Sequence, residues 1–199
     1  TFLNNVGKLL RRTKGGKDSD LYFKVSEYSY KLAPTQESAK GMSDLAIRNK
    51  DWDNAVKYLD ESLGFAVQPE DKADILCMQG YVYYKFKNNY SKARELCRQA
   101  AALDKTNAES HMYIGEMYMQ SGKMVFPNED GVVQRLVFIA AADEFAKGKA
   151  ADPSRAADFN TRIAQCKQQY PEKSQLFMKG IKGSYHIPGW MNVNVSIPD

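Results

Sequence analysis

One pattern occurs twice in this 199-residue chain and constrains it to a helical repeat. Gly80 stands three positions before Tyr83, and the polar pair Asn88-Asn89 follows; Gly115 stands three positions before Tyr118, and Ser121-Gly122 follows. A helix packed closely on its neighbour needs a position without a side chain at the contact. A large ring one turn further on fills the space that opens beyond it. The same contact made again about 35 residues later means that one helix pair stacks on the next. After the first copy, Ala93, Cys97 and Ala100 are spaced by four and then three, the stripe of a second helix in the unit.

This arrangement resembles the tetratricopeptide repeat (TPR) over residues 36–153, and more loosely at both ends. The resemblance implies an all-α fold, a right-handed superhelix of TPR-like helix pairs closed by a short extended or β cap. In the unit before the first copy, Trp52 and Ala55 stand where the family places an aromatic and its small partner. Ser43 and Ala46 there replace the family's glycine and tyrosine. The turn at 87–89 carries one extra residue, which a surface turn absorbs.

Taken in order, residues 1–35 read as an incomplete N-terminal helix pair. Phe2, Val6, Leu9 and Leu10 form its apolar stripe, Gly15-Gly16 its turn, and Pro34 its stop. The chain opens at Thr1 without a methionine, as a trimmed chain would. Residues 38–49 form the next helix, and its partner begins near Trp52, faces inward through Ala55, Leu59 and Ser62, and stops at Pro69. The last full unit is interrupted by an insertion at 123–137. Residues 123–128 read as an extended loop with Phe126 and Pro127 at its tip, and Asn128 as the N-cap of a long helix running to Ala151. Such insertions gather on one face of a solenoid and often carry binding, so Phe126 is a candidate contact; a loop tucked onto its own helix is the alternative.

Residues 154–199 form the C-terminal region: a capping helix over 154–170, and a shorter one over 171–183 burying Leu176, Phe177 and Ile181. Met191, Val193, Val195 and Ile197 then alternate with polar residues, which is strand spacing. This strand either folds back as a cap or pairs with a partner's sheet edge. A Trp-bearing tail of this kind resembles one in exported bacterial TPR proteins of unassigned role, which implies a cell-envelope location.

Of the net charge of +4, residues 1–17 carry +5 with no acid, leaving −1 for the rest. Five cations there suit a helix C-terminus closed by the glycine pair, or a basic arm that meets nucleic acid or anionic lipid. No run of eighteen apolar residues is present. Cys77, Cys97 and Cys166 lack metal-ligand spacing and read as small apolar packers. No catalytic motif, metal site or cofactor is expected, and His111 and His186 read as structural.

In TPR proteins the first helix of each pair lines a concave groove. Carried onto this sequence, the groove-facing candidates are Lys40, Asp44, Ile47 and Arg48, then Asp74, Cys77, Tyr81, Tyr84 and Lys85, then Glu109, Met112, Glu116, Met119 and Gln120. Mixed charges with Tyr and Met suit a protein or peptide partner. Tyr83 and Tyr118 instead occupy the inter-helix position. The expected function is therefore a non-enzymatic scaffold or adaptor that binds a protein segment, with end-to-end self-association open to it. Two alternatives stand beside it: an envelope accessory protein binding a glycan or small ligand, and an RNA- or membrane-associated adaptor using the basic N-terminal arm.

Overall fold

The computed structural model describes residues 2–198, which are mostly helical, with a two-stranded antiparallel sheet at the C-terminal end. The chain divides into two compact units, Thr1–Asn88 and Asn89–Asp199.

The first unit contains α1 (Phe2–Arg12), α2 (Asp20–Leu32), α3 (Gln36–Arg48), α4 (Trp52–Phe65) and α5 (Pro69–Lys85), each packed on the next. Side chains close the helix starts: Ser19 accepts from the Tyr22 N–H, Thr35 forms a capping box with Ser38, and Asp51 accepts from the Asn54 N–H. Pro69 does not stop α4, which ends at Phe65; it opens α5, where its fixed φ suits a helix start and no N–H is needed. Ala55, Leu59 and Ser62 are wholly buried, and Ala46, Ile75 and Val82 complete the core around the first two. Tyr83 is only half-buried.

The apolar stripe expected on α1 splits in two. Val6 and Leu10 turn inward, whereas Phe2 and Leu9 face solvent at 78% and 67% exposure. The helix ends at Arg12, and Gly15 takes φ +74°, so the basic N-terminal residues form a helix end and its glycine turn.

The second unit opens with α6 (Tyr90–Leu103) packed on α7 (Ala108–Met119). Ala93, Cys97 and Ala100 of α6 are fully buried, as is Tyr118 of α7. After the insertion come α10 (Val137–Ala151), packed on α7, and α11 (Ala156–Gln168), packed on α10. These helices meet through glycines. A Cβ on Gly115 would lie 2.4 Å from the Phe145 ring, and one on Gly148 would lie 2.4 Å from the Phe159 ring. Both rings are fully buried, so neither helix could approach as closely with a side chain in place.

Four expectations need correction here. The insertion is not a loop feeding one long helix; it folds as α8 (Gly122–Val125) and α9 (Gly131–Gln134) before α10 begins. Asp130 rather than Asn128 is the cap, accepting the Val132 and Val133 N–H groups, while the Gln134 amide donates to the Phe126 and Glu129 carbonyls. Phe126 is no exposed tip: it is 5% exposed, its ring 6.2 Å from that of Tyr185. In α12 (Lys173–Met178), Leu176 is buried but Phe177 is 83% exposed, since a six-residue helix offers one ridge to its neighbours.

The tail forms a hairpin of β1 (Ser184–Ile187) and β2 (Val193–Ser196), with Tyr185 opposite Val195 and Ile187 opposite Val193. Met191 and Val195 are buried and Val193 and Ile197 half-buried. The connecting turn lays Trp190 on the unit's own helices, with ring centroids 5.5 Å from both Tyr90 and Tyr118 and the Arg94 guanidinium 5.4 Å above. Arg94 also donates to the Met191 carbonyl. One edge of β2 is thus taken by β1.

Candidate functional site

In the first unit, the expected groove residues fall into a buried set and an accessible set. Asp44 is 6% exposed and accepts the Tyr22 hydroxyl at 2.8 Å, with Arg11 Nη2 3.5 Å from the same oxygen. Burial and the Asp44 charge push the Tyr22 hydroxyl far above its ordinary range, so it stays a donor. Lys40, also buried, is held below its usual pKa by burial and by the charge of Arg11. Tyr84 is 3% exposed and receives the Lys85 ammonium both at its hydroxyl (3.1 Å) and over its ring (4.2 Å). These groups hold the unit together and do not present themselves to a partner.

The accessible set is Arg48, Asp74, Tyr81 and Lys85. Arg48 donates to Asp20 at 2.8 Å and lies over Phe23. Tyr81 meets Phe86 edge-on, and Phe86 in turn stacks on Trp52 with centroids 4.0 Å apart. Phe86 has no role that the sequence assigns; it sits in the turn just past α5, where the pattern leads one to expect polar residues.

In the second unit, Met112 is buried. Glu116 accepts from Arg162 at 3.0 Å, and Glu109 from Arg155 at 2.6 Å. One pair joins α7 to α11 and the other joins it to the residue just before α11, at a spacing of seven residues on both sides. His111 Nδ1 lies 3.0 Å from Glu144 Oε2, and Lys147 donates to the other oxygen at 2.7 Å. Burial pushes the Glu144 carboxyl upward, but the hydrogen bonds from His111 and Lys147 prevail and hold it below its ordinary value. The partner of His111 lies 33 residues away along the chain, where spacing along one helix could not reveal it. The Cys166 thiol is pushed up to about 11, chiefly by burial, which leaves it a packing group.

Met119 and Gln120 differ from the rest. They sit at the end of α7, where α8, α9 and the start of α10 border an open cleft of about 540 Å³. Its floor is apolar, built by Met119, Val132, Val137 and Phe138, with Gln120 and Gln134 supplying amides. Gly122 is needed there, because a Cβ on it would lie 2.6 Å from the Gln134 carbonyl oxygen.

The charges at the rim are unequal. Asp130 is occupied by the Lys179 ammonium at 2.7 Å, which with the cap N–H groups holds its pKa low. Arg135 donates only to neutral groups, the Gly131 carbonyl and the Gln175 side chain. Lys123 is exposed and makes no ion pair among the described residues. The cleft therefore combines an apolar floor with positive charge that no carboxylate pairs with among the described residues. No protein-family model matches this sequence.

Proposed function

We propose that this protein is a non-enzymatic interaction module, a scaffold or adaptor that holds a segment of a partner protein. Its helix pairs are read as TPR-like units of a right-handed superhelix. The glycine contacts of Gly115 with Phe145 and of Gly148 with Phe159 support that reading, because they repeat one kind of close approach from helix to helix.

The observation that carries the proposal is the cleft at the end of α7. Its volume falls within the range of roughly 300–1,000 Å³ usual for binding pockets. It brings the insertion together with Met119 and Gln120, two of the residues expected to face a partner. An apolar side chain of an extended segment fits the floor, and a neighbouring acidic residue fits Lys123 and Arg135. A rigid frame with a preformed cleft binds such a segment at little ordering cost.

The test is affinity capture from the source cell's extract with the intact chain and with Lys123→Glu and Met119→Glu variants, each shown by circular dichroism to be folded. The reading requires one protein enriched by the intact chain, lost with both variants, and bound through a short apolar-acidic segment that competes as a synthetic peptide. Identical proteins on all three chains, or none on any, would refute the cleft as the site.

A further inference from the structure

The outer side of the first helix pair is apolar and, among the described residues, uncovered. Five of the eleven large hydrophobics that stand exposed among the described residues lie within residues 2–32. On α1 they are Phe2 and Leu9, seven apart and so on one ridge. On α2 they are Leu21, Tyr28 and Leu32, spaced by seven and four, again one ridge, exposed by 57–77%. A soluble surface tolerates scattered apolar residues; two ridges on adjacent helices are a patch.

Cations run beside both ridges. Lys8 and Arg12 flank the ridge of α1, and Lys24 and Lys31 that of α2; all four are exposed and none forms an ion pair among the described residues. α1 contains no acidic residue, Asp20 is occupied by Arg48, and Glu27 is half-buried.

We infer that the α1–α2 face docks onto an anionic lipid surface, its leucines and aromatics entering the headgroup boundary and its lysines and arginine meeting lipid charge. Apolar ridges beside basic ones are what an interfacial helix presents to such a surface. A second copy of the chain fits poorly, since face-to-face pairing would oppose four cations with the same four. Another exposed apolar pair, Phe177 and Met178, also sits beside lysines, Lys173 and Lys182. A nucleic acid would use the cations, but three of the five apolar residues are leucines, which offer hydrocarbon and no ring for stacking. Among the described residues no helix is long and apolar enough to cross a membrane, so the contact is peripheral.

The experiment is co-sedimentation of the whole chain with vesicles of phosphatidylcholine plus phosphatidylserine, against vesicles of phosphatidylcholine alone. The chain is expected to sediment with the former only, and less as salt rises. Lys24→Gln/Lys31→Gln should weaken binding about twenty-five-fold, at roughly fivefold per charge. Leu21→Ser/Leu32→Ser should weaken it on the order of tenfold. All four positions are exposed, so both variants should keep the parent's circular dichroism. The inference is overturned if anionic vesicles leave the chain in the supernatant, or if the leucine variant binds as well as the parent. It is equally overturned if the parent is a dimer in sedimentation velocity and the leucine variant a monomer.

Discussion

Replacing Gly115 by alanine adds one methyl group where the structure has no room for it. The new Cβ would lie 2.4, 2.7 and 2.8 Å from three atoms of the Phe145 ring, against an ordinary carbon contact of about 3.5–4.0 Å. Phe145 is fully buried, so its ring cannot swing out to solvent. Overpacking of this kind costs about 3 kcal/mol at the upper end of the usual range. Alanine returns about 1 kcal/mol through its better helix propensity. The net loss is about 2 kcal/mol, or about thirtyfold in the folding equilibrium. Gly64, near the end of α4, is the internal control: nothing lies within 4 Å of its Cβ position, so Gly64→Ala should stabilise by roughly 0.5 kcal/mol. The chain has two tryptophans, Trp52 in the first unit and Trp190 in the second. Denaturant unfolding followed by fluorescence in a Trp52→Phe background therefore reads the unit that contains Gly115. A shorter partner should relieve the collision, so Phe145→Leu should be less damaging in the Gly115→Ala background than in the parent. If Gly115→Ala were as stable as the parent, or if the two substitutions in the double variant were simply additive, the close-approach argument would be wrong.

Other outcomes follow from the same contacts. Tyr118→Ala should cost about 3–4 kcal/mol because the ring is fully buried, whereas Tyr83→Ala at a half-buried site should cost less than half of that; denaturant midpoints separate them. Tyr22→Phe removes the hydroxyl donor to buried Asp44 and should cost about 2 kcal/mol, read by Trp52 fluorescence during unfolding. Glu144 has a folded pKa below its ordinary 4.5, so its stabilisation is fully present above that value and lost as pH falls through the depressed one. The stability gap between the parent and Glu144→Gln should accordingly hold from neutral pH down to about 5 and close below 4.5; a gap unchanged at acid pH would remove the His111–Glu144–Lys147 group as its cause.

Much of each unit's core is legible in the sequence because it repeats with the helical period. Ala55, Leu59 and Ser62, like Ala93, Cys97 and Ala100, are buried as their spacing implies. The glycine of the second copy also stands at a close helix contact, although the ring it meets is that of Phe145 and not the tyrosine three positions on. Period alone cannot say whether a face is covered, which is why it groups Phe2 and Leu9 with Val6 and Leu10. Polar partnerships across helices, such as Tyr22 with Asp44 and His111 with Glu144, depend on how helices are placed and leave no local signal. Helices of four residues, α8 and α9, lie below the length at which propensity decides anything; side-chain bonds from Asp130 and Gln134 to the backbone shape that segment instead. β1 escapes a sequence reading for a similar reason, since four residues show their alternation only once the register with β2 is known.

The insertion leaves the frame at the end of α7 and returns at the start of α10, yet Gly115 and Phe145 still meet as though the two helices were joined by a short turn. The anchoring contact and the inserted segment thus bear on different properties of the molecule. The exposed residues of the insertion, from Pro127 to Gly131, can change in number and kind while the helix-to-helix contact stays as it is. This gives descent a place to revise what the surface recognises without first destabilising the fold, and it gives a designer a socket for grafted loops. Chains that vary only these exposed positions should keep the unfolding midpoint set by α7 and α10 while their partners change.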